Sequence, residues 1–225
     1  MAGGPMPRPT ATRTIENALR RMGFVRIAGS DEVGRGCLAG PVMAGAVVLD
    51  PDVHIPGLRD SKLLTAPERE RLCDQIKRHS LGWSVAAVEP EEIDRINIHR
   101  ASLQAMRGAV MALIPLPDLV LVDAFRIPDL MMAQRGIIHG DVRCAAIAAA
   151  SIVAKVVRDT HMRQLHAMDP RYGFDRHKGY ATRDHLKAVS RFGYSPVHRR
   201  SFRPASLFDT IICAPGSAED PSFGR

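Results

Sequence analysis

The chain has 225 residues, 45% of them hydrophobic and 24% charged, with a formal net charge of +7. That is ordinary for a globular protein with one substantial core, and no apolar run approaches the ~20 residues of a membrane span. The four cysteines (Cys37, Cys73, Cys144, Cys213) form no C-x-x-C pair, which argues against a zinc site or a disulfide scaffold and suits a reducing, cytoplasmic compartment.

Residues 1–20 carry no apolar signal-peptide core and are expected to form a flexible leader. Residues 24–30 and 42–49 read as two strands of a hairpin joined by a glycine-rich turn. Thr65-Ala66-Pro67-Glu68 has the form of a capping box with proline early in the helix, so a helix to about residue 79 is expected. A strand over 82–88 and a helix over 98–113 follow; Leu103, Met106, Val110 and Leu113 recur at helical spacing. Residues 119–123, LVLVD, form a short apolar strand ending on an acid, and 137–139 suggest another brief strand. Asp141 is placed to cap a long helix over 143–167. A final helix spans 182–192, with Gly193 as its stop. Residues 204–225 read as a flexible tail. Strands alternating with helices place the chain in the α/β class, with a mixed sheet flanked by helices. The expected division is a core over 21–168 and a C-terminal substrate-binding segment over 169–203.

The acids are the informative residues. Asp31 and Glu32 are adjacent in AGSDEVGRGC, and neighbouring strand residues point to opposite faces. Both cannot enter the core, so the first strand is expected to end there. Asp123 ends its own strand, and strand ends in open α/β sheets are where sites form. Taken alone, such an aspartate more often starts a turn. Ser151, Lys155 and Asp159 share one helix face at i, i+4 and i+8. There Lys155 and Asp159 could be a simple salt bridge, or Asp159 could reach the strand ends past the small residues AAIAAASIVA. Converging carboxylates without His or Cys suit Mg²⁺ or Mn²⁺, and a pair of such ions supports phosphodiester cleavage. The positive charge of the chain then has an anionic polymer to meet.

Gly34-Arg35-Gly36 allows close approach of backbone to a ligand, or simply serves the turn. Asp60-Ser61-Lys62 precedes a helix, a natural phosphate position, though a solvated loop fits as well. YGFDRHKGY at 172–180 interleaves aromatic and basic side chains, as stacking on nucleic acid requires; packing of a loop on the core is the simpler alternative.

Taken together, AGSDEVGRGCLAGPV, RDSKLL, LVLVDAF, GDVRCAAIAAASIVAKVVRD, YGFDRHKGYATRDH and SPVHRRSF resemble the type 2 ribonuclease H (ribonuclease HII) family over about residues 24–203. The resemblance implies a ribonuclease H-like mixed five-stranded sheet flanked by helices, with a small C-terminal helical segment. It implies a metal site of Asp31, Glu32, Asp123 and Asp159, binding two Mg²⁺ or Mn²⁺ ions during catalysis. By the same resemblance, Gly34, Arg35 and Gly36 read the ribose 2′-OH, Tyr180 sits against the sugar at an RNA–DNA junction, and Ser61 and Lys62 hold phosphates. The implied substrates are RNA–DNA hybrid and duplex DNA containing single ribonucleotides, cut on the 5′ side to leave 3′-OH and 5′-phosphate. A monomer with no membrane partner is expected. Ala124 and Ala181 stand where the family usually has glycine. A junction-cutting DNA nuclease would use the same acids but leave Gly34, Arg35, Gly36 and Tyr180 without a role. A non-catalytic nucleic-acid binder would survive loss of the acids.

Overall fold

The computed structural model describes residues 10–202, so the tail at 204–225 and the first nine residues of the expected leader lie outside it. The rest of that leader is not loose. Residues Thr14–Arg21 form a helix, α1, whose Leu19 and Glu16 are buried.

Five strands make one sheet: β1 (Ile27–Val33), β2 (Val42–Leu49), β3 (Ser80–Val88), β4 (Leu119–Asp123) and β5 (Ala133–Ile137), in the order β3-β2-β1-β4-β5. The hairpin β1–β2 and the pair β2–β3 are antiparallel. The pairs β1–β4 and β4–β5 are parallel; the chain returns from β3 to β4 through helices, whereas residues 124–132 between β4 and β5 form a loop without one. The helices are α2 (Ala66–His79), α3 (Pro90–Ile96), α4 (Ile98–Met111), α5 (Gly140–Arg143), α6 (Ala145–Met168), α7 (Phe174–His177) and α8 (Arg183–Phe192).

One face of the sheet packs against α6 and α2, with Leu72, Ile76, Ile147 and Ile152 among its buried residues. The other packs against α4 through Ala101, Ala105, Met106 and Val110. The approach of α6 is close because glycines face it. A Cβ on Gly29 would fall 2.1 Å from the Ala146 backbone, and one on Gly45 would fall 2.4 Å from the Ala150 carbonyl oxygen. Beyond the sheet, Met162, Tyr172, Phe174, Ala188 and Val189 form a separate small core with Ala39. This is the expected C-terminal helical segment.

The capping box at Thr65 forms, with Glu68 Oε2 accepting from the Thr65 backbone N–H at 2.8 Å. Two expectations need correction. The first strand does not stop at the acids: Asp31, Glu32 and Val33 pair with Gly45, Ala44 and Met43 of β2. What ends is the neighbour on the other side, since β1–β4 pairing stops at Ser30↔Val122. Nor does Asp141 cap the long helix. It lies in α5, and the chain breaks to extended geometry at Cys144 before α6 begins. The free N–H of Ala146 is taken instead by the Glu16 carboxylate of α1, at 2.9 Å, a cap supplied from 130 residues away.

Candidate active site

Asp31 and Asp123 each stand one residue beyond the last β1–β4 pair. They are therefore in register on neighbouring parallel strands, on the same face, where the sheet opens. Asp31 is only 7% exposed. Its side chain accepts a hydrogen bond from Ser151 of α6, whose hydroxyl shares a 3.0 Å bond with that of Ser61. Asp123 Oδ1 accepts the Gly140 N–H at 2.7 Å. Glycine at 140 makes this approach easy, because a Cβ there would fall 2.5 Å from Ile147 Cδ1 and 3.2 Å from Asp123 Oδ1. This contact brings α5, and with it buried Asp141, up to the strand ends.

The electrostatics show which acids form the cluster. Burial raises the Asp31 carboxyl well above the usual carboxylate range, and the charges of Glu32, Asp123 and Asp141 push it further. Burial also raises Asp123, with Asp141 adding to the effect against the Gly140 hydrogen bond. The Lys62 ammonium is lowered by partial burial but raised more by Asp60, Asp141, Asp31 and Asp123, so its pKa lies above the ordinary lysine value. Lys62 Nζ is 3.8 Å from Asp141 Oδ2. Glu32 lies on the opposite strand face and is paired with Arg35 Nη1 at 3.0 Å, yet it borders the same opening.

Asp31, Glu32, Asp123, Ser151, Lys62 and Tyr180 all line one cavity of about 240 Å³, together with Gly34, Arg35 and Gly36. Neither Asp159 nor Asp141 lines it. The Asp159 carboxylate is held by Lys155 Nζ at 2.6 Å and by Arg69 Nη2 at 4.0 Å, and it borders a second cavity of about 400 Å³. Asp141 differs from Asp159 in that its charge acts on both Asp31 and Asp123. Ser61 also lines the first cavity, with its hydroxyl bonded to Ser151, while Lys62 is exposed and faces the acids.

The glycine turn and the tyrosine are held by two arginines that are 0% exposed. Arg158 donates from Nε to Pro41 O (3.0 Å), from Nη2 to Ala39 O (3.2 Å) and from Nη1 to Lys178 O (3.0 Å). Arg199 donates from Nε to Gly40 O (3.0 Å) and from Nη1 to Arg35 O (2.9 Å). Gly34, at φ +89°, leaves room for Arg158; a Cβ would fall 2.2 Å from its Nε. Tyr180 is 42% exposed and lines both cavities. The sequence pointed to neither arginine; Arg158 is adjacent to Asp159 and shows no spacing that separates it from a surface residue.

An oxygen-only donor set suits a hard divalent cation. Buried acids that repel one another are also what a cation would stabilise. Among the described residues, no three His, Cys, Asp or Glu side chains already enclose an ion. The acids surround an opening, as mutually repelling carboxylates do.

A sheet of this order, with acids gathered where β1 and β4 part, is the ribonuclease H fold, and the solved structures bear this out. The ribonuclease H2 of Pyrococcus horikoshii OT3 superposes with a TM-score of 0.69 at 24% identity, over 84% of this chain and all of that one. The ribonuclease HIII called Bst-RNase HIII, in a complex with Mn²⁺, gives 0.65 at 21% identity, over 86% of this chain and 72% of that one.

The family model described as Ribonuclease HII matches residues 28–205. The Ribonuclease HII of Nitrosococcus oceani is 53% identical over 183 residues, 81% of this chain and 91% of that protein. That of Desulfitobacterium hafniense is 50% identical over 189 residues, 84% of this chain and 73% of that protein. The chain belongs to the ribonuclease HII family. It is accordingly a metal-dependent endoribonuclease that hydrolyses phosphodiester bonds in RNA–DNA hybrids. No helix among the described residues is long and apolar enough to cross a membrane.

Proposed function

We propose that this enzyme incises duplex DNA on the 5′ side of a single embedded ribonucleotide, as well as cutting longer hybrids, and leaves 3′-OH and 5′-phosphate ends. The observation that carries the reading is the joint lining of one cavity by the acids Asp31, Glu32 and Asp123, the Gly34-Arg35-Gly36 turn and Tyr180. Acids to cut, backbone to touch a 2′-OH and a ring to meet the sugar face the same opening.

The residues fitted to hold Mg²⁺ or Mn²⁺ are Asp31, Glu32, Asp123 and Asp141. Asp141 replaces Asp159 in this set because it is the acid that acts electrostatically on both Asp31 and Asp123. A pair of divalent ions, when bound, activates the attacking water and stabilises the leaving oxygen.

The chain's own groups do the rest. Gly36 is exposed, with nothing within 4 Å of where its Cβ would be, so a ribose can approach its backbone. Lys62, kept protonated by the surrounding acids, offers a charge to a phosphate at the mouth. Ser151 fixes the Asp31 carboxylate, and Ser61 fixes Ser151. Asp159 holds Lys155 and Arg69 at the second cavity, which five cations (Arg69, Lys155, Arg163, Arg176 and Lys178) line against Glu70 and Asp159. That surface offers the duplex backbone a path away from the cut, and residues 169–203 serve as the substrate-binding segment.

The test is a labelled DNA duplex with one ribonucleotide, incubated with Mg²⁺ or Mn²⁺ and with EDTA as control. The expected product is one metal-dependent nick 5′ of the ribonucleotide. Cleavage of long hybrid alone would refute the junction reading.

A further inference from the structure

Behind Tyr180 lies a line of buried histidines whose partners leave them one arrangement of protons. The Ser195 backbone N–H donates to His198 Nδ1 at 3.0 Å, and the Ser195 hydroxyl lies 2.7 Å from the same nitrogen. A backbone N–H can only donate, so His198 Nδ1 carries a lone pair, and the proton of the neutral ring is on Nε2. That nitrogen faces His185 Nε2 at 3.0 Å. His185 Nε2 must then accept, which puts the His185 proton on Nδ1, 2.9 Å from the Tyr180 carbonyl oxygen. The hydrogen bonds run in one direction from Ser195 to Tyr180. His185 and His198 are 0% and 2% exposed, and burial lowers both to pKa values of about 4, which agrees with neutral rings.

The far end of this line is tied to residues 38–40, just past the glycine turn, and Arg199 reaches the turn itself at Arg35 O (2.9 Å). The Gly40 N–H donates to Val197 O and the Arg199 N–H to Leu38 O, each at 2.8 Å, so the backbone flanking His198 pairs with residues 38–40. The Leu38 N–H donates to Gly179 O at 2.8 Å, which closes the circuit next to Tyr180. The Tyr180 carbonyl also takes the Thr182 N–H at 2.8 Å, and the Tyr180 N–H donates to His177 O at 3.0 Å.

We propose that His185 and His198 are positioning residues that lock Tyr180 to the Gly34-Arg35-Gly36 turn, and so set the preference for a ribonucleotide–deoxyribonucleotide step over continuous hybrid. The proposal rests on the functional reading above, in which the turn and the tyrosine meet the same nucleotide. Loss of the His185 donor frees the Tyr180 carbonyl from one of its two hydrogen bonds and lets the ring drift. A junction that needs the ring in place then suffers more than a hybrid held along its length.

Two measurements decide it. In ¹⁵N NMR spectra of the full-length enzyme at neutral pH, His185 should be protonated on Nδ1 and His198 on Nε2; the opposite tautomers, or charged rings, overturn the relay. In kinetics, the ratio of kcat/KM on the single-ribonucleotide duplex to that on long hybrid should fall on the order of tenfold in His185→Ala. It should recover in His185→Asn, whose amide restores a donor near the Nδ1 position. An unchanged ratio in His185→Ala, or equal damage from Ala and Asn, overturns the selectivity role. A wild-type enzyme that leaves the single-ribonucleotide duplex intact overturns the functional reading and the selectivity half of this proposal together. The spectrum judges the relay independently.

Discussion

Two cavities lie side by side and share Lys155 and Tyr180, yet they treat their acids differently. In the second, Asp159 is matched by Lys155 and Arg69. At the first, Asp31 and Asp123 act on one another and feel the charge of Asp141 just behind them, with Lys62 at the edge. The lesson is that an acid's role is set by what neutralises it. A carboxylate already satisfied by protein cations organises a surface. Carboxylates left to repel one another in a buried place form a site that a metal completes.

The sharpest way to break this comparison is to remove one charge from the unsatisfied set. Asp31→Asn should lower kcat by about 10²–10³-fold or more, while its melting temperature in EDTA stays level or rises because a strained buried charge is gone. A lower melting temperature together with preserved kcat would refute the contrast.

Next in size is the support beneath both cavities. Arg158→Met strands two buried carbonyls and one half-buried one, and should cost about 3 kcal/mol of unfolding free energy, read by urea denaturation. Activity should fall with it, since the glycine turn loses its anchor. A loss below about 0.5 kcal/mol would mean that water replaces the guanidinium.

The histidines behind Tyr180 give a pH effect that the acids do not share. His185 and His198 have folded pKa values of about 4, below the ordinary value near 6.5. As pH falls through about 6.5, the unfolded chain takes up protons that the folded chain refuses, so stability drops as the pH moves toward 4. The limiting slope is about 1.4 kcal/mol per pH unit for each histidine. Denaturation at pH 7.5, 6 and 5 should show this fall, and His185→Asn should reduce it; a flat profile over that range would contradict buried neutral rings.

The smallest effect concerns Ala124, which follows Asp123 at φ +57°. A left-handed alanine is strained, which gives a physical reason for the glycine usual there. Ala124→Gly should raise stability by roughly 0.5–1 kcal/mol, with activity little changed. Ala181, the other such position, is exposed and is not among the left-handed residues, so Ala181→Gly should bring no comparable gain.

Much of the fold was legible where its determinants are local. The Thr65 capping box, the β2 strand and the apolar run of β4 depend on neighbours in the chain, and they appear as expected. The departures arise where distant residues decide. α6 starts at Ala145 because Glu16 caps it from α1 and Cys144 is extended beside Thr12. No spacing within 140–168 records that. The same break moves Asp141 from a helix cap to the acid cluster.

At Asp159 the i, i+4 lysine was the decisive signal, and the simple salt bridge is what forms. The short helix α3 was not foreseen, although Pro90 and the acids Glu91 and Glu92 stand in its first turn. Arg158 and Arg199 were invisible because a buried arginine looks like any other basic residue until the carbonyls around it are known.

The most direct measurement compares Asp141→Asn with Asp159→Asn on one hybrid substrate at saturating Mg²⁺, with folding checked by circular dichroism. The account predicts that Asp141→Asn loses about 10²–10³-fold in kcat, while Asp159→Asn mainly raises KM by loosening Lys155 and Arg69. A folded Asp141→Asn enzyme with near wild-type kcat, beside an Asp159→Asn enzyme that is dead, would contradict it and return the fourth carboxylate to Asp159.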